Sequence, residues 1–324
     1  MSSDFYRAFE ERHRGSREDI KSRLRVYLPF VEPLKRLHAE CKGIDLGCGR
    51  GEWLEVLKEV GIDARGVDLD DGMLAGCSEL GLSIEIGDAI SLLKTLPDES
   101  HDVVSAFHVA EHIAFADLKV LVQEALRVLK PAGLLILETP NPENIVVGTA
   151  KFYLDPTHQR PIPPALLAFL PEHYGFHRTK ILRLQEPPGL TGNTAPSLLN
   201  VLGDVSPDYA VVAQKNADAD QLARFDGTFE REYGVTLEVL AARYDAQAHA
   251  RIREAEARAG QAEAHARQAE AHARQAQASA REAHENVQQL LASKSWRLTA
   301  PLRAVGATMR RILGKSRVRE GKDR

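Results

Sequence analysis

Between residues 44 and 54 the chain reads Ile-Asp-Leu-Gly-Cys-Gly-Arg-Gly-Glu-Trp-Leu, and few backbones can accommodate that order. A short apolar run, an acid, three glycines spaced by two and a helix-forming stretch describe a strand that turns sharply into a helix. Glycine tolerates left-handed backbone angles and lets other atoms approach the main chain, while the first turn of a helix presents unpaired N–H groups. Such a turn is suited to holding a ligand. A dinucleotide fingerprint would space its glycines as G-x-G-x-x-G. Here Asp45, Gly47, Gly49 and Gly51 give D-x-G-x-G-x-G, which points to a different class of nucleotide cofactor.

The surrounding rhythm predicts an α/β fold. Apolar segments at 43–46, 63–67, 82–86, 102–107 and 133–138 read as strands and alternate with amphipathic stretches such as 117–129. That alternation predicts a parallel sheet with helices on both faces. Two later β-rich pieces, 180–185 and 209–214, close the sheet, with the Pro/Gly-rich stretch 187–207 inserted between them. Residues 1–40 read as a basic helical segment, with Phe5, Phe9, Ile20, Leu24 and Leu28 at helical spacing and Pro29 and Pro33 at its end. Cys41, Cys48 and Cys77 show no paired spacing and read as small buried residues.

An acid or polar group stands at the end of each successive strand. Asp68 follows the second, where a carboxylate can accept both hydroxyls of a ribose, and Asp70 or Asp71 remains free to cap the next helix. Asp88 and Ala89 follow the third. Phe107-His108-Val109-Ala110-Glu111-His112 lies at the carboxyl end of the fourth, the edge where open α/β sheets bind ligands. Arg127-Val128-Leu129-Lys130-Pro131-Ala132-Gly133 and Glu138-Thr139-Pro140-Asn141-Pro142 complete the series.

Over about residues 41–215 these motifs resemble class I S-adenosylmethionine-dependent methyltransferases. The resemblance implies a Rossmann-like sheet with helices on both faces and S-adenosyl-L-methionine as cofactor. Asp45, Gly47, Gly49 and Gly51 would cradle its amino-acid part, Asp68 its ribose, and Asp88 and the Ala89 N–H its adenine, with Phe107 a further cofactor-binding residue. Ala132, where the family has glycine, reads as a conservative change in a turn. Methyl transfer itself depends mainly on placement, and a base is required only where the acceptor must lose a proton. His108, His112 and His158 are the candidates, with His108 expected to face the cofactor and Glu111-His112 offering an alternative role as a helix cap. Residues 152–161 read as a substrate-binding wall, with Arg160 available to an anionic acceptor. With no clustered Cys/His set, no metal is expected.

After Asn216 the pattern changes. Leu222, Phe225, Phe229, Tyr233, Leu237, Leu240, Tyr244 and Ile252 recur at helical spacing, and Gln-Ala-Glu-Ala-His-Ala-Arg occurs twice in succession at 261–274. Ala262, Ala266, Ala269, Ala273, Ala276, Ala280, Ala283, Val287 and Leu290 form a 4-3 seam that predicts a coiled coil over 217–294. Residues 295–324 carry nine Lys/Arg against Glu320 and Asp323, in a chain whose net charge is −4. With Trp296 and an apolar stripe of Leu298, Leu302, Val305, Met309 and Ile312, this tail suits an anionic membrane surface. The acidic body argues against nucleic acid as a partner.

The layout of basic helix 1–40, methyltransferase domain 41–216, coiled coil 217–294 and amphipathic tail 295–324 is similar to the O-antigen chain-terminating methyltransferases. That likeness implies a lid in which a Tyr and an Arg hold the cofactor, matched here by Tyr6 and Arg23. It also implies a glycan or glycolipid acceptor and a polysaccharide polymerase or glycosyltransferase as neighbour. A homo-oligomer formed through the coil, peripheral at the cytoplasmic face of the bacterial inner membrane, completes the picture. The chain lacks the kinase domain of some such enzymes, which favours a terminal sugar over a phosphate as acceptor. Two other readings are a small-molecule methyltransferase of the quinone type and a non-catalytic scaffold of a glycan assembly complex.

Overall fold

The computed structural model describes residues 15–319 except 191, 193 and 194, without side-chain detail at 73–75 and 310–319. Seven strands form one sheet: β1 Lys42–Leu46, β2 Asp63–Asp68, β3 Ser83–Ile86, β4 His101–Phe107, β5 Leu129–Pro140, β6 Arg178–Leu184 and β7 Asp208–Gln214. Their order is β3-β2-β1-β4-β5-β7-β6. β1 to β5 pair in parallel, as the alternation of strands and helices requires, whereas β7 enters antiparallel between β5 and β6. The sheet is therefore mixed. The segment between β6 and β7 holds a helix, Leu198–Gly203, yet returns without a crossover, so β7 runs against both neighbours. This reversal brings the start of β7 to the same edge as the end of β5, where Pro140 pairs with Asp208.

Side chains alternate across the sheet and divide the core in two. On one face Leu135 and Leu137 pack with Leu93, Leu118, Leu121, Val122 and Leu167, contributed by the helices Ala89–Thr95, Phe115–Val128 and Pro164–Tyr174. On the other face Leu134 and Ile136 pack with Trp53, Val56 and Leu57 from the helix Glu52–Glu59 and with Tyr27, Phe30 and Leu34. Each such fully buried side chain contributes about 1.5–3 kcal/mol. Cys41, Cys48 and Cys77 are free and buried, as expected.

The N-terminal segment is part of this core. Ser16 caps the helix Arg17–Leu24 by accepting from the Asp19 N–H at 3.2 Å. Pro29 and Pro33 do not end the helical segment. Each sits in the first turn of a further short helical piece, Leu28–Val31 and Glu32–Arg36, where a missing N–H costs nothing. Ala132, read as a conservative change, adopts φ +62° while fully buried. Glycine would be unstrained there, whereas a Cβ in the left-handed region costs about 1–2 kcal/mol.

Residues 15–247 lie in one compact unit and 248 onward in another. The first extends past residue 216, where the change of pattern suggested its end. Phe225 and Phe229 are buried in it, with the Phe229 ring 5.4 Å from Phe30 and the Arg178 guanidinium 4.2 Å from the Phe229 centroid. Helical spacing reports that a face is buried, not what buries it. The helix Leu237–Ala292 begins within the first unit, where Leu240 is buried; its part in the second presents Val287, Leu290 and Leu291 to solvent and carries i,i+4 pairs such as Glu263–Arg267 and Glu270–Arg274. Ser293 then caps Lys294–Leu298, and Ala300–Arg319 follows with Leu302, Val305 and Met309 exposed. Among the described residues no helix is long and apolar enough to cross a membrane.

Candidate active site

The glycine turn leaves β1 with Gly47, Gly49 and Gly51 at φ +69°, +50° and +78°. A Cβ on Gly47 would lie 2.5 Å from Val109 Cγ2, so that position admits no side chain. The turn is laced to β2: the Gly47 and Cys48 N–H groups donate to the Val67 carbonyl at 2.8 and 3.1 Å, and Gly49 N–H donates to Asp68 Oδ2 at 2.8 Å. Asp68 also accepts from Asp70 N–H at 3.0 Å, while Asp70 itself caps the next helix through Gly72 N–H. Asp68 thus braces the glycine turn, and the capping role falls to Asp70. Asp45 is buried within the sheet and accepts from Ser105 Oγ at 2.7 Å. Asp88 caps the helix that begins at Ala89, and the Ser91 hydrogen bond holds its carboxyl below the usual range. Phe107 packs against Tyr27 and Trp53, with centroids 5.4 and 5.6 Å away.

The residues around this turn fit the amino-acid end of S-adenosylmethionine. Arg17 donates from Nη1 to the Arg50 carbonyl at 2.8 Å and from Nε to Glu55 at 2.6 Å. Its Nη2 is buried without a partner. An unsatisfied buried donor is costly, and more so on a charged group. A carboxylate brought to the glycine turn would satisfy it. Arg17, which the sequence pattern did not single out, is thus an N-terminal residue that reaches the turn. Arg23 is exposed, and its charge instead acts on Asp208. Tyr6 lies outside the described residues.

A second group of side chains gathers at the carboxyl ends of β4 and β5. His108 adopts φ +55°, an uncommon conformation that histidine tolerates better than most residues. Its N–H donates to the Glu138 carbonyl at 2.9 Å, its Nδ1 lies 3.1 Å from Glu111 Oε1 and its Nε2 lies 3.5 Å from Glu138 Oε1. Glu138 also accepts from the Tyr27 hydroxyl and, at 3.4 Å, from Gln185 Nε2. Glu111 accepts from Thr139 Oγ1 at 2.8 Å. Ligand atoms of His108, Glu138 and Asp208 lie within 4.8 Å of one another. Loss of solvent lowers the His108 pKa, but Glu111 and Glu138 outweigh it and hold the ring well above the ordinary value. The neighbouring carboxylates thus favour the imidazolium form of His108. Held in that form, the ring places a positive charge among these carboxylates, in the place a cation would take.

His112 and His158 stand beside this group with ring centroids 4.6 Å apart. His112 Nδ1 is 2.9 Å from Thr157 Oγ1, and burial lowers its pKa against the pull of Glu111. His158 Nδ1 is 2.6 Å from the Phe152 carbonyl, which can only accept, so that nitrogen carries the proton. Ligand atoms of Glu111, His112 and His158 also lie within 4.8 Å of one another, with Thr139, Thr157 and Phe152 already holding them. The loop 152–161 is tied to this rim: Gln159 donates from its N–H to the Glu111 carbonyl and from Nε2 to the His112 carbonyl, both at 2.8 Å. Arg160 stacks over Phe115 at 4.5 Å.

The fold thus brings His108, His112 and His158 to one rim and reveals three further groups there. Tyr27 came from a segment read only as basic helix, and Asp208 stands just before the piece 209–214 read as β-rich. Glu138 lay within a quoted motif, but nothing in the sequence marked its carboxylate.

A methyltransferase-domain family model matches residues 44–137. The crystal structure of a SAM-dependent methyltransferase from Archaeoglobus fulgidus superposes with a TM-score of 0.57 at 35% identity, over 65% of this chain and 100% of that one. A probable S-adenosylmethionine-dependent methyltransferase of Mycolicibacterium smegmatis is 33% identical over 145 residues, covering 44% of this chain and 55% of the relative. A ubiquinone biosynthesis O-methyltransferase of Methylococcus capsulatus is 34% identical over 106 residues, or 31% of this chain and 44% of the relative. The chain thus spans about half the length of these curated relatives. Glycine turn, strand-end acids, sheet order and a relative matched along its whole length agree: the chain belongs to the class I S-adenosylmethionine-dependent methyltransferases, whose cofactor the site at Arg17, Gly47 and Asp68 fits.

Proposed function

We propose that the chain transfers a methyl group to a hydroxyl, and that the acceptor is the terminal sugar of a bacterial surface polysaccharide of the O-antigen kind. The observation that carries the hydroxyl is the rim itself. Glu111, Glu138 and Asp208 surround a single imidazolium, His108. Carboxylates accept hydrogen bonds from hydroxyl groups and repel a phosphate or carboxylate acceptor. The cofactor supplies an activated methyl group on a sulfonium. The side chains here orient the acceptor oxygen and take its proton.

The glycan reading draws support from the second unit. Among the described residues the seam from Ala262 to Leu290 is exposed throughout and suits self-association, and exposed Leu302, Val305 and Met309 beside arginines suit an anionic membrane surface. Such a protein would act at the cytoplasmic face of the inner membrane, next to a polysaccharide polymerase or glycosyltransferase. Comparing O-methyl sugars in surface glycan from a strain lacking the gene and its parent tests this; identical methylation would reject it. Removing 295–324 tests the anchor, and undiminished binding to anionic liposomes would reject that part.

A second reading, methylation of a phenolic quinone precursor, is favoured by the likeness to a ubiquinone biosynthesis O-methyltransferase. Loss of quinone rather than glycan methylation in the same strain would support it. A purely scaffolding role leaves the buried, unpaired Arg17 Nη2 beside the glycine turn without a purpose.

A further inference from the structure

We infer that Asp208 is the group that receives the proton of the acceptor hydroxyl, and that His108 is its fixed counter-charge and not the base. The inference rests on the hydroxyl reading above and is indifferent to whether that hydroxyl belongs to a sugar or a phenol.

The geometry singles out Asp208 among the groups at the rim. It opens β7 opposite Pro140, the last residue of β5, on the same edge as the glycine turn and His108. Glu111 is taken up by His108 and Thr139, and Glu138 by Tyr27, His108 and Gln185. His158 is held at Nδ1 by the Phe152 carbonyl and lies 3.9 Å from Asp155 through Nε2, while His112, held at one nitrogen by Thr157, is made less basic by burial. Asp208 is half-buried, and among the described residues its carboxylate receives no hydrogen bond. It is the carboxylate of the rim left open to a newcomer.

The charges around it suit the task. His108 after β4, Glu111, Glu138 on β5, Arg23 on the N-terminal helix and Tyr27 all face it. Loss of solvent raises its carboxyl to about 6, with His108 and Arg23 opposing and Glu138 and Glu111 adding to the rise. A carboxylate tuned this way is ionised at neutral pH yet basic enough to hold a proton briefly. Asp208 takes the hydroxyl proton as the bond from acceptor oxygen to methyl carbon forms. The carbon–sulfur bond breaks with its electron pair staying on sulfur, and the proton passes from Asp208 to solvent.

The test uses the full chain. Asp208→Asn is compared with wild type for methyl transfer from labelled S-adenosylmethionine to methyl glycosides of hexoses and to catechol, and for cofactor binding by calorimetry. Carbon-13 NMR of carboxyl-labelled aspartate follows the titration directly. We expect D208N to lose about 100-fold or more in kcat with cofactor affinity unchanged, and Asp208→Glu to recover part of the rate. The wild-type rate should fall on the acid side with a midpoint near 6, and one aspartate signal titrating there should be missing from D208N. Equal turnover by D208N and wild type overturns the assignment while leaving the hydroxyl reading intact. Failure of wild type to methylate any glycoside or phenol removes the hydroxyl reading and the assignment with it. If D208N loses cofactor binding, the wild type decides: a rate independent of pH, or no aspartate titrating near 6, overturns the proposal.

Discussion

The hydroxyl of Tyr27 donates a hydrogen bond to the carboxylate of Glu138, a residue 111 positions further along the chain. Burial, reinforced by Glu138, pushes the phenol well above its ordinary pKa, so Tyr27 keeps its proton and remains a donor. The bond fastens the N-terminal segment to the end of β5 and fixes one edge of the acidic rim. Tyr27→Phe keeps the aromatic packing on Trp53 and Phe107 but leaves a buried acceptor unsatisfied. The expected cost is about 1–3 kcal/mol, read by urea unfolding, and methyl transfer should suffer more than cofactor affinity. An unchanged unfolding midpoint would show that the bond is idle.

His108 makes stability depend on pH in a definite direction. Its folded pKa stands above the unfolded one, so its contribution is complete below about 6.5 and is lost as pH rises through the raised folded value. His108→Gln should therefore destabilise most below about pH 6.5, with the difference from wild type shrinking as pH rises into alkali. Thermal unfolding of both proteins across that range reads the effect, and a constant difference would reject the imidazolium.

Asp208 shares the sign but not the window. Its folded pKa, about 6, lies above the ordinary carboxylate value. Its favourable protonated state is therefore lost between about pH 4 and pH 6. The variant D208N should unfold at a higher temperature than wild type at pH 8 and at the same temperature near pH 4. Lower stability at pH 8 would contradict the strained charge.

Gly47 combines φ +69° with a phantom Cβ 2.5 Å from Val109, whereas a Cβ on Gly227 would meet nothing within 4 Å. Gly47→Ala should displace the turn and weaken S-adenosylmethionine binding by at least about tenfold, roughly 1.4 kcal/mol, while Gly227→Ala leaves it unchanged. Calorimetry compares the two directly; equal affinities would remove the close approach as a determinant.

At the opposite edge of the sheet, Asp102 is fully buried beneath His38 and accepts from Lys130 Nζ at 2.8 Å and Lys42 N–H at 2.7 Å. Asp102→Ala strands the Lys130 ammonium and the Lys42 N–H and should cost about 3–5 kcal/mol. Cofactor affinity measured well below the unfolding midpoint should stay the same, because nothing at the glycine turn touches this cluster. A matched loss of affinity would mean the two edges are coupled.

The sequence alone carried the cofactor side of the site because that side is local. The left-handed turn at Gly47, Gly49 and Gly51 and the strand-end acids Asp68 and Asp88 each depend on a few neighbouring residues, so spacing reports them. The alternation of strands and helices likewise announced the five parallel strands, since short-range periodicity decides which residues turn inward. What it could not carry was the carboxylate rim. Tyr27, His108, Glu138 and Asp208 come from four separate elements, and the reversal of β7 brings the last of them to the rim. The same limit applied to Phe225 and Phe229, whose spacing resembled a coil until Phe30 and Arg178 proved to cover them. Protonation follows placement: it is the fold that sets Glu111 and Glu138 against the His108 ring and raises its pKa. Charge and desolvation act through space, and only the tertiary structure decides which groups share it.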